Sequence, residues 1–261
     1  QNHYALGDYK EAYLNYFSGY LDLNHSIEKG LSYSMDTIYK SYTIDTISKM
    51  KRWNGLNVSY EEALLMRPVT QYFAAKSADM IDFKYEDNNE RASIWHYTDL
   101  ILWLEKYKFP VYDKFLKTNH KFLNNIRQRD LFWYLSSIRD LADIYYLKEK
   151  DLDMAEMLYN KIVNGFNKYN WETKSNNEQQ EINNHSLVQL GTILVTKKAY
   201  NEALDLYNNF TLNNPKNIWG YWGLAETYHE INDYENGFTT MKRVLELYNE
   251  NQNEGVDLIH I

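Results

Sequence analysis

Two segments near the end of the chain, 184–215 and 218–248, carry the same pattern of small and apolar residues at a spacing of 34 residues. Each segment has two helical stretches separated by a short polar turn. The positions that coincide when the first segment is moved by 34 residues are Leu187/Tyr221, Leu190/Leu224, Gly191/Ala225, Leu194/Tyr228, Tyr200/Tyr234, Ala203/Gly237 and Tyr207/Met241. A fixed period of this length predicts stacked helix-turn-helix units, each burying its apolar face against the next.

The repeated unit resembles a tetratricopeptide repeat. A weaker match covers Leu131–Ile162, and a short one begins at Gly7 and includes Ala12 and Tyr16. The resemblance implies an all-α fold, a right-handed superhelix of tetratricopeptide-like helix-turn-helix repeats with degenerate repeats in the first half. Small residues such as Ala203 would let two helices approach closely, and an aromatic side chain four residues on would fill the next gap.

The 34-residue register is lost between residues 21 and 129, although the helical pattern continues as degenerate repeats or a non-repeat insertion. Ser59 and Glu62 form a capping-box pattern that predicts a helix start, and we expect Pro68 to end that helix or to open another. We therefore predict two domains. Degenerate hairpins would occupy 1–130, and tetratricopeptide-like repeats would occupy 131–261 with an insertion near 170–183.

Composition narrows the class of protein further. Only 10 Gly and 3 Pro occur, too few for the tight turns of a many-stranded β fold, and zero Cys excludes disulfides and Cys-ligated metals. A net charge of −8 argues against binding to nucleic acid or to anionic membrane through this chain. No apolar run of about 18 residues predicts a membrane span. We expect a cytoplasmic protein, although a chain beginning at Gln1 indicates a fragment whose targeting segment could have been removed.

The sequence offers little that predicts catalysis. It contains no glycine-rich phosphate loop, HExxH motif or GxSxG motif. His96 and Asp99 lie one helical turn apart and could hold a metal or act as a base with its orienting carboxylate, but packing explains such a pair equally well. Carboxylate pairs such as Asp151 and Asp153 fit helix capping. We therefore predict a protein that is not an enzyme and has no cofactor.

The resemblance also implies where a ligand would bind, because the first helix of each tetratricopeptide unit lines a concave groove. The matching positions in the last two units are His185, Val188, Thr192, Trp219, Trp222, Glu226, His229 and Glu230. Exposed tryptophan beside carboxylates suits a cationic or amphipathic peptide or protein. The apolar and acidic side chains disfavour the carboxylate clamp that some members use for anionic C-termini. Alternatively, both tryptophans pack against residues 256–261 or against a capping helix that this chain lacks.

Three functional hypotheses follow from these observations. The first is a non-enzymatic helical-repeat module that binds a protein or peptide as a scaffold or adaptor. The second is the peptide-sensing domain of a bacterial pheromone-type regulator, which the Asn-rich and Tyr-rich helices would suit. The third is an accessory repeat domain of a larger enzyme.

Overall fold

The structure, a computed structural model, describes residues 7–17, 60–85, 89–110, 121–169 and 177–253. Helical residues 9–17 form α1. The remaining α-helices are α2 (Tyr60–Met80), α3 (Ala92–Trp103), α4 (Lys121–Ile144), α5 (Leu152–Tyr169), α6 (Asn177–Thr196), α7 (Tyr200–Asn213), α8 (Ile218–Glu230) and α9 (Tyr234–Asn253). Short π-helical turns, Leu104–Lys108 and Tyr145–Glu149, follow α3 and α4. No helix among the described residues is both long and apolar enough to cross a membrane.

The predicted all-α class is confirmed for the described residues, whose only β feature is an isolated bridge between Lys84 and Arg91. The chain divides into two compact units, Gln1–Ile144 and Tyr145–Ile261. The domain boundary predicted at 130 falls inside α4 and stays a prediction, as does the right-handed superhelix. The predictions for Ser59 and for residues 256–261 lie outside the described residues.

The first unit packs α2 against α3 and α3 against α4, while α4 also touches α2. One part of its core joins α1 to the end of α2, where Tyr13 packs with the small residues Ala74, Ala78 and Ala92. The small side chains matter because they let the ring of Tyr13 reach between the helices.

A buried carboxylate ties three helices of this unit together. Asp140 on α4 accepts hydrogen bonds from the hydroxyls of Tyr72 (2.9 Å) and Tyr97 (3.1 Å), and from Lys76 Nζ (3.1 Å). Its second oxygen accepts from the Arg139 guanidinium at 2.7 and 2.9 Å. Burial alone would raise the pKa of Asp140, but Arg139, Lys76 and these hydrogen bonds hold it below its ordinary value. The buried charge is thus compensated on both oxygens.

The prediction that Pro68 ends or opens a helix is wrong, because α2 runs through it. Tertiary contacts on either side of Pro68 account for this. Arg67 lies over the ring of Trp103 at 4.2 Å and donates to Asp99 at 2.9 Å, and Gln71 donates to the same carboxylate at 2.7 Å. Proline has no amide to donate to the carbonyl four residues earlier, so one backbone hydrogen bond of α2 is missing at Pro68. The interactions of Arg67 and Gln71 with α3 compensate for this loss and keep α2 continuous.

In the second unit each helix packs against the next one along the chain, and α6 also contacts α8. Tyr207 on α7 lies at the centre of this arrangement. A Cβ placed on Gly191 of α6 would lie 2.3 Å from its ring, and one placed on Gly223 of α8 would lie 2.2 Å away. The ring therefore occupies a gap that the two glycines leave between α6 and α8.

The turns of the two clearest repeats have the same hydrogen bonds, 34 residues apart. After α6, the amides of Lys198 and Ala199 donate to Val195 and Leu194, and after α8 those of Asn232 and Asp233 donate to His229 and Tyr228. Lys198 and Asn232 adopt left-handed φ values of 61° and 63°. This is the Schellman arrangement that ends a helix. The two turns therefore share the same backbone structure, which is compatible with a helical repeat.

A small residue follows the left-handed residue by five positions in four turns of the chain. The four pairs are Gly7/Ala12, Lys150/Ala155, Lys198/Ala203 and Asn232/Gly237. In each case the amide of the small residue donates to the carbonyl four residues earlier, which begins the second helix. In the last repeat the small residue lies against the preceding helix, since a Cβ placed on Gly237 would lie 3.7 Å from the Ala225 carbonyl oxygen.

Candidate functional site

The predicted binding residues lie on the same sides of α6 and α8, which contact each other. Val188 corresponds to Trp222, and Thr192 to Glu226, at the 34-residue spacing. We call this surface the α6/α8 face, and it consists of His185, Val188, Thr192, Trp219, Trp222, Glu226, His229 and Glu230. The opposite sides of both helices are buried, with Ile193 on α6 and Thr227 on α8 fully so.

The α6 half of this face is partly buried and held by hydrogen bonds. His185, Val188 and Thr192 all have intermediate exposure. The Thr192 hydroxyl donates to the Val188 carbonyl at 3.1 Å, and the Tyr207 hydroxyl donates to the same carbonyl at 3.0 Å. His185 packs beside the ring of Tyr159 from α5, with 6.2 Å between ring centroids. This half therefore forms a fixed floor.

The α8 half carries the exposed side chains. Trp222 is 49 % exposed, and Glu226, His229 and Glu230 are exposed with it. Asn217 fixes the start of α8 by accepting hydrogen bonds from the amides of Trp219 and Gly220 at 3.0 and 3.1 Å. An indole and two carboxylates thus project from one side of a well-capped helix.

Trp219 does not share the exposure of Trp222. It is partly buried against Ile218, Val244 and Leu247, in the core between α8 and α9. Its indole nitrogen is buried and has no hydrogen-bond partner among the described residues. The two tryptophans that the sequence places together therefore differ in the structure, with Trp219 mainly packed and Trp222 mainly available.

Tyr207 belongs to this site although the sequence did not single it out as a binding residue. Its ring crosses from α7 between Gly191 and Gly223, and its hydroxyl lies 3.4 Å from Thr192 Oγ1. Burial raises the pKa of Tyr207 to about 12, and the negative charge of Glu226 acts in the same direction. The hydroxyl therefore lies beneath the face, with contacts to α6 and within electrostatic range of α8. The sequence carried no local signal for this role, because Gly191 and Gly223 lie 16 residues before and after Tyr207.

The residues considered for catalysis have structural partners. Asp99 accepts from Arg67 and Gln71, while His96 is fully buried with its Nε2 at 3.5 Å from the Tyr13 hydroxyl. Asp151 caps α5 by accepting from the Met154 amide at 3.0 Å. Among the described residues, no cluster of three or more His, Asp or Glu side chains could hold a metal ion.

A shallow apolar pocket of about 200 Å³ opens between α8 and α9, next to the α6/α8 face. Its lining residues are Ala225, His229, Tyr234, Gly237, Phe238 and Met241. By the 34-residue register, Met241 corresponds to Tyr207 and Ala225 to Gly191, and both Met241 and Ala225 line the pocket.

Comparison with models of known protein families finds no match to this chain. Comparison with curated proteins finds none either.

Proposed function

We propose that this protein is a non-enzymatic binding module that holds a protein or peptide segment against the α6/α8 face. The observation that carries the proposal is the exposed Trp222 with Glu226 one helical turn further along the same side of α8. A large aromatic side chain that is half exposed beside a carboxylate is a frequent centre of binding energy at protein interfaces.

The chemistry of the face favours a cationic or amphipathic segment. A Lys or Arg side chain can lie over the Trp222 indole while its charge meets Glu226 or Glu230, which combines cation–π attraction with opposite charge. Val188 and Thr192 on the floor offer apolar contact to the rest of the segment. The net charge of −8 adds long-range attraction for a positively charged partner.

The proposal can be tested by selecting peptides from a random display library with the purified chain. We expect enrichment of peptides that contain Lys or Arg next to aliphatic or aromatic residues. Trp222→Ala should weaken binding of the selected peptides by about 10-fold or more, as for a central interface residue. Its thermal unfolding should change little, because the side chain is half exposed.

Two variants make the result specific. Glu226→Lys should shift the selection away from cationic peptides, because it reverses the charge next to the indole. Leu212→Ala, which removes an exposed apolar side chain from α7, is the matched control and should bind as the parent does. If Trp222→Ala retains the same peptides at the same affinity, the proposed face is wrong. If Trp222→Ala unfolds the chain, Trp222 belongs to the core.

The other two hypotheses, a peptide-sensing domain and an accessory domain of an enzyme, remain predictions. Both would use a peptide-binding face of the same kind, so the selection would also identify a ligand for either of them. They differ in what lies elsewhere in a longer protein.

A further inference from the structure

The outer side of α9 carries a continuous stripe of exposed apolar side chains. It consists of the exposed residues Tyr234, Phe238, Leu245 and Tyr248 with the partly buried Met241 between them, and the exposed Ile231 extends it into the preceding turn. Tyr234, Phe238 and Leu245 are 61 %, 64 % and 59 % exposed. Monomeric proteins normally expose large apolar side chains singly, whereas five of them lie side by side here. The stripe therefore marks an interaction surface.

The spacing of the stripe is that of a coiled-coil seam. Its members follow each other at intervals of four, three, four and three residues from Tyr234 to Tyr248, which is the heptad pattern that packs one helix along another. The fully buried contacts of α9 in the core shared with α8 are made by Val244 and Leu247, and Met241 of the stripe packs against them. The exposed members of the stripe, Phe238, Leu245 and Tyr248, lie outside this core cluster.

The charges beside the stripe select an antiparallel copy of the same helix. The exposed residues Glu235 and Lys242 lie seven residues apart on one flank of the stripe, so they occupy the same heptad position. In an antiparallel pair of helices, this position of one helix faces the same position of the other. When two α9 helices run in opposite directions about a twofold axis that passes between Thr239 and Thr240, Glu235 of each copy lies opposite Lys242 of the other. A parallel pair would place neither residue opposite an unlike charge.

The pocket between α8 and α9 fits the same arrangement. In the antiparallel register, Phe238 of one copy lies level with Met241 of the other, and these two residues line the pocket. Gly237, which also lines it, leaves room for the incoming ring. We propose that α9 is a self-association surface, through which two copies of this chain form an antiparallel twofold dimer.

The size of the stripe predicts a weak dimer. The aromatic members, Tyr234, Phe238 and Tyr248, each bury about 150–250 Å² when fully covered. Since about half of each is exposed, they leave with Leu245 and Ile231 roughly 500 Å² of apolar surface per copy. A stable interface removes about 800 Å² from each partner, so we expect dissociation in the micromolar range. This surface is separate from Trp222 and Glu226, and the proposal goes beyond the binding of a peptide.

Sedimentation velocity of the full chain over a series of concentrations tests the proposal. We expect the parent to shift from monomer to dimer between micromolar and submillimolar concentrations. Leu245→Glu should weaken dimerisation by about 10-fold or more, because it places a charge in the seam. Leu212→Glu, which places the same charge at a more exposed leucine on α7, should leave it unchanged. Peptide binding through Trp222 should survive Leu245→Glu.

A charge exchange tests the antiparallel register. Glu235→Lys and Lys242→Glu should each weaken dimerisation, because like charges then face each other, and circular dichroism should show that both variants keep their helices. A mixture of the two variants should form heterodimers, since every facing pair again has opposite charge. A parent that stays monomeric, a dimer that tolerates Leu245→Glu, or variants that fail to pair in the mixture would each overturn the proposal.

Discussion

Tyr207 occupies a gap that only residues without a Cβ leave open on either side. Gly191 and Gly223 come from different helices, and a Cβ on either would lie within 2.3 Å of the tyrosine ring. The ring in turn delivers a hydroxyl to the Val188 carbonyl. A single side chain therefore joins α6, α7 and α8 beneath the proposed binding face.

This close approach predicts opposite effects for two similar substitutions. Gly223→Ala should lower the free energy of unfolding by about 1–2 kcal/mol, because overpacking outweighs the better helix propensity of alanine. Gly237→Ala should raise it by about 0.5–1 kcal/mol, because the nearest atom, Tyr228 Cβ, is 3.5 Å away and no strain arises. Urea unfolding of both variants checks the pair. Equal stability of the two would mean that Tyr207 moves without cost.

Burial of His96 predicts a dependence of stability on pH. Burial lowers the pKa of His96 to about 4, although Asp99 acts in the opposite direction. Between an unfolded pKa of about 6.5 and the folded value, the unfolded chain binds a proton that the folded chain does not. Stability is therefore complete above this range and falls as the pH drops from about 6.5 to 4, by about 3 kcal/mol in all.

Replacement of the imidazole should remove this part of the pH dependence. We expect His96→Phe to flatten the fall in unfolding free energy between about pH 6.5 and pH 4. His229→Gln, which removes an exposed histidine, should keep the parent slope. Urea unfolding at several pH values measures both. An unchanged slope in His96→Phe would show that other groups account for it.

At the scale of elements, the Schellman turn that occurs after α6 and again after α8 sets the geometry of each helix-turn-helix unit. It places a left-handed residue after the first helix and a small residue five positions later, near the start of the second helix. Three of the four left-handed positions, Lys150, Lys198 and Asn232, hold a residue with a Cβ, which costs free energy in this conformation, more for lysine than for asparagine.

This cost predicts a stabilising substitution in the turn after α6. Lys198→Gly should raise the free energy of unfolding by about 0.5–1 kcal/mol, because glycine adopts a left-handed φ without strain. Lys198→Ala is the matched control, because it removes the same side chain but keeps the Cβ. Its free energy of unfolding should differ from that of the parent by only a small fraction of the gain expected for Lys198→Gly. Thermal or urea unfolding distinguishes the two. Equal effects would assign the change to the lysine side chain instead of the backbone.

The elements also show which parts of the structure the sequence could predict. The turns and small residues of the repeat were predictable because they depend on neighbours within a few positions. The continuation of α2 through Pro68 was not, since it depends on contacts of Arg67 and Gln71 with Trp103 and Asp99 on another helix.

The candidate site divides in the same way. Trp222, Glu226, His229 and Glu230 follow from helical periodicity and are exposed together. Trp219 has the same periodicity but packs against Val244 and Leu247 of α9. The role of Tyr207 depends on two glycines on separate helices, which no local pattern relates.

At the scale of the whole molecule, each of the two compact units has its own core, so we expect local damage to stay local. Ala203 is fully buried in the second unit, and Ala203→Trp should overpack it. Amide hydrogen exchange should then become faster throughout α6–α9 and remain at the parent rate in α2 and α3.

The reciprocal substitution is the control for this prediction. Ala78 is fully buried in the first unit, beside Tyr13, and Ala78→Trp should speed exchange in α2 and α3 while leaving α6–α9 protected. Mass spectrometry of exchanged peptides reports both variants. Faster exchange along the whole chain in either variant would mean that the units unfold as one.

The ring of Tyr207 also has an evolutionary consequence. The residues at 191, 207 and 223 compete for the same space, because a Cβ at 191 or 223 would overlap the Tyr207 ring. We therefore expect a larger residue at 191 or 223 to be accepted only where Tyr207 has been replaced by a residue without a ring. The last repeat shows the alternative solution, with Ala225 where the preceding repeat has glycine and Met241 where it has tyrosine. We expect related chains to change these positions together, and an intermediate with alanine and tyrosine side by side to be rare.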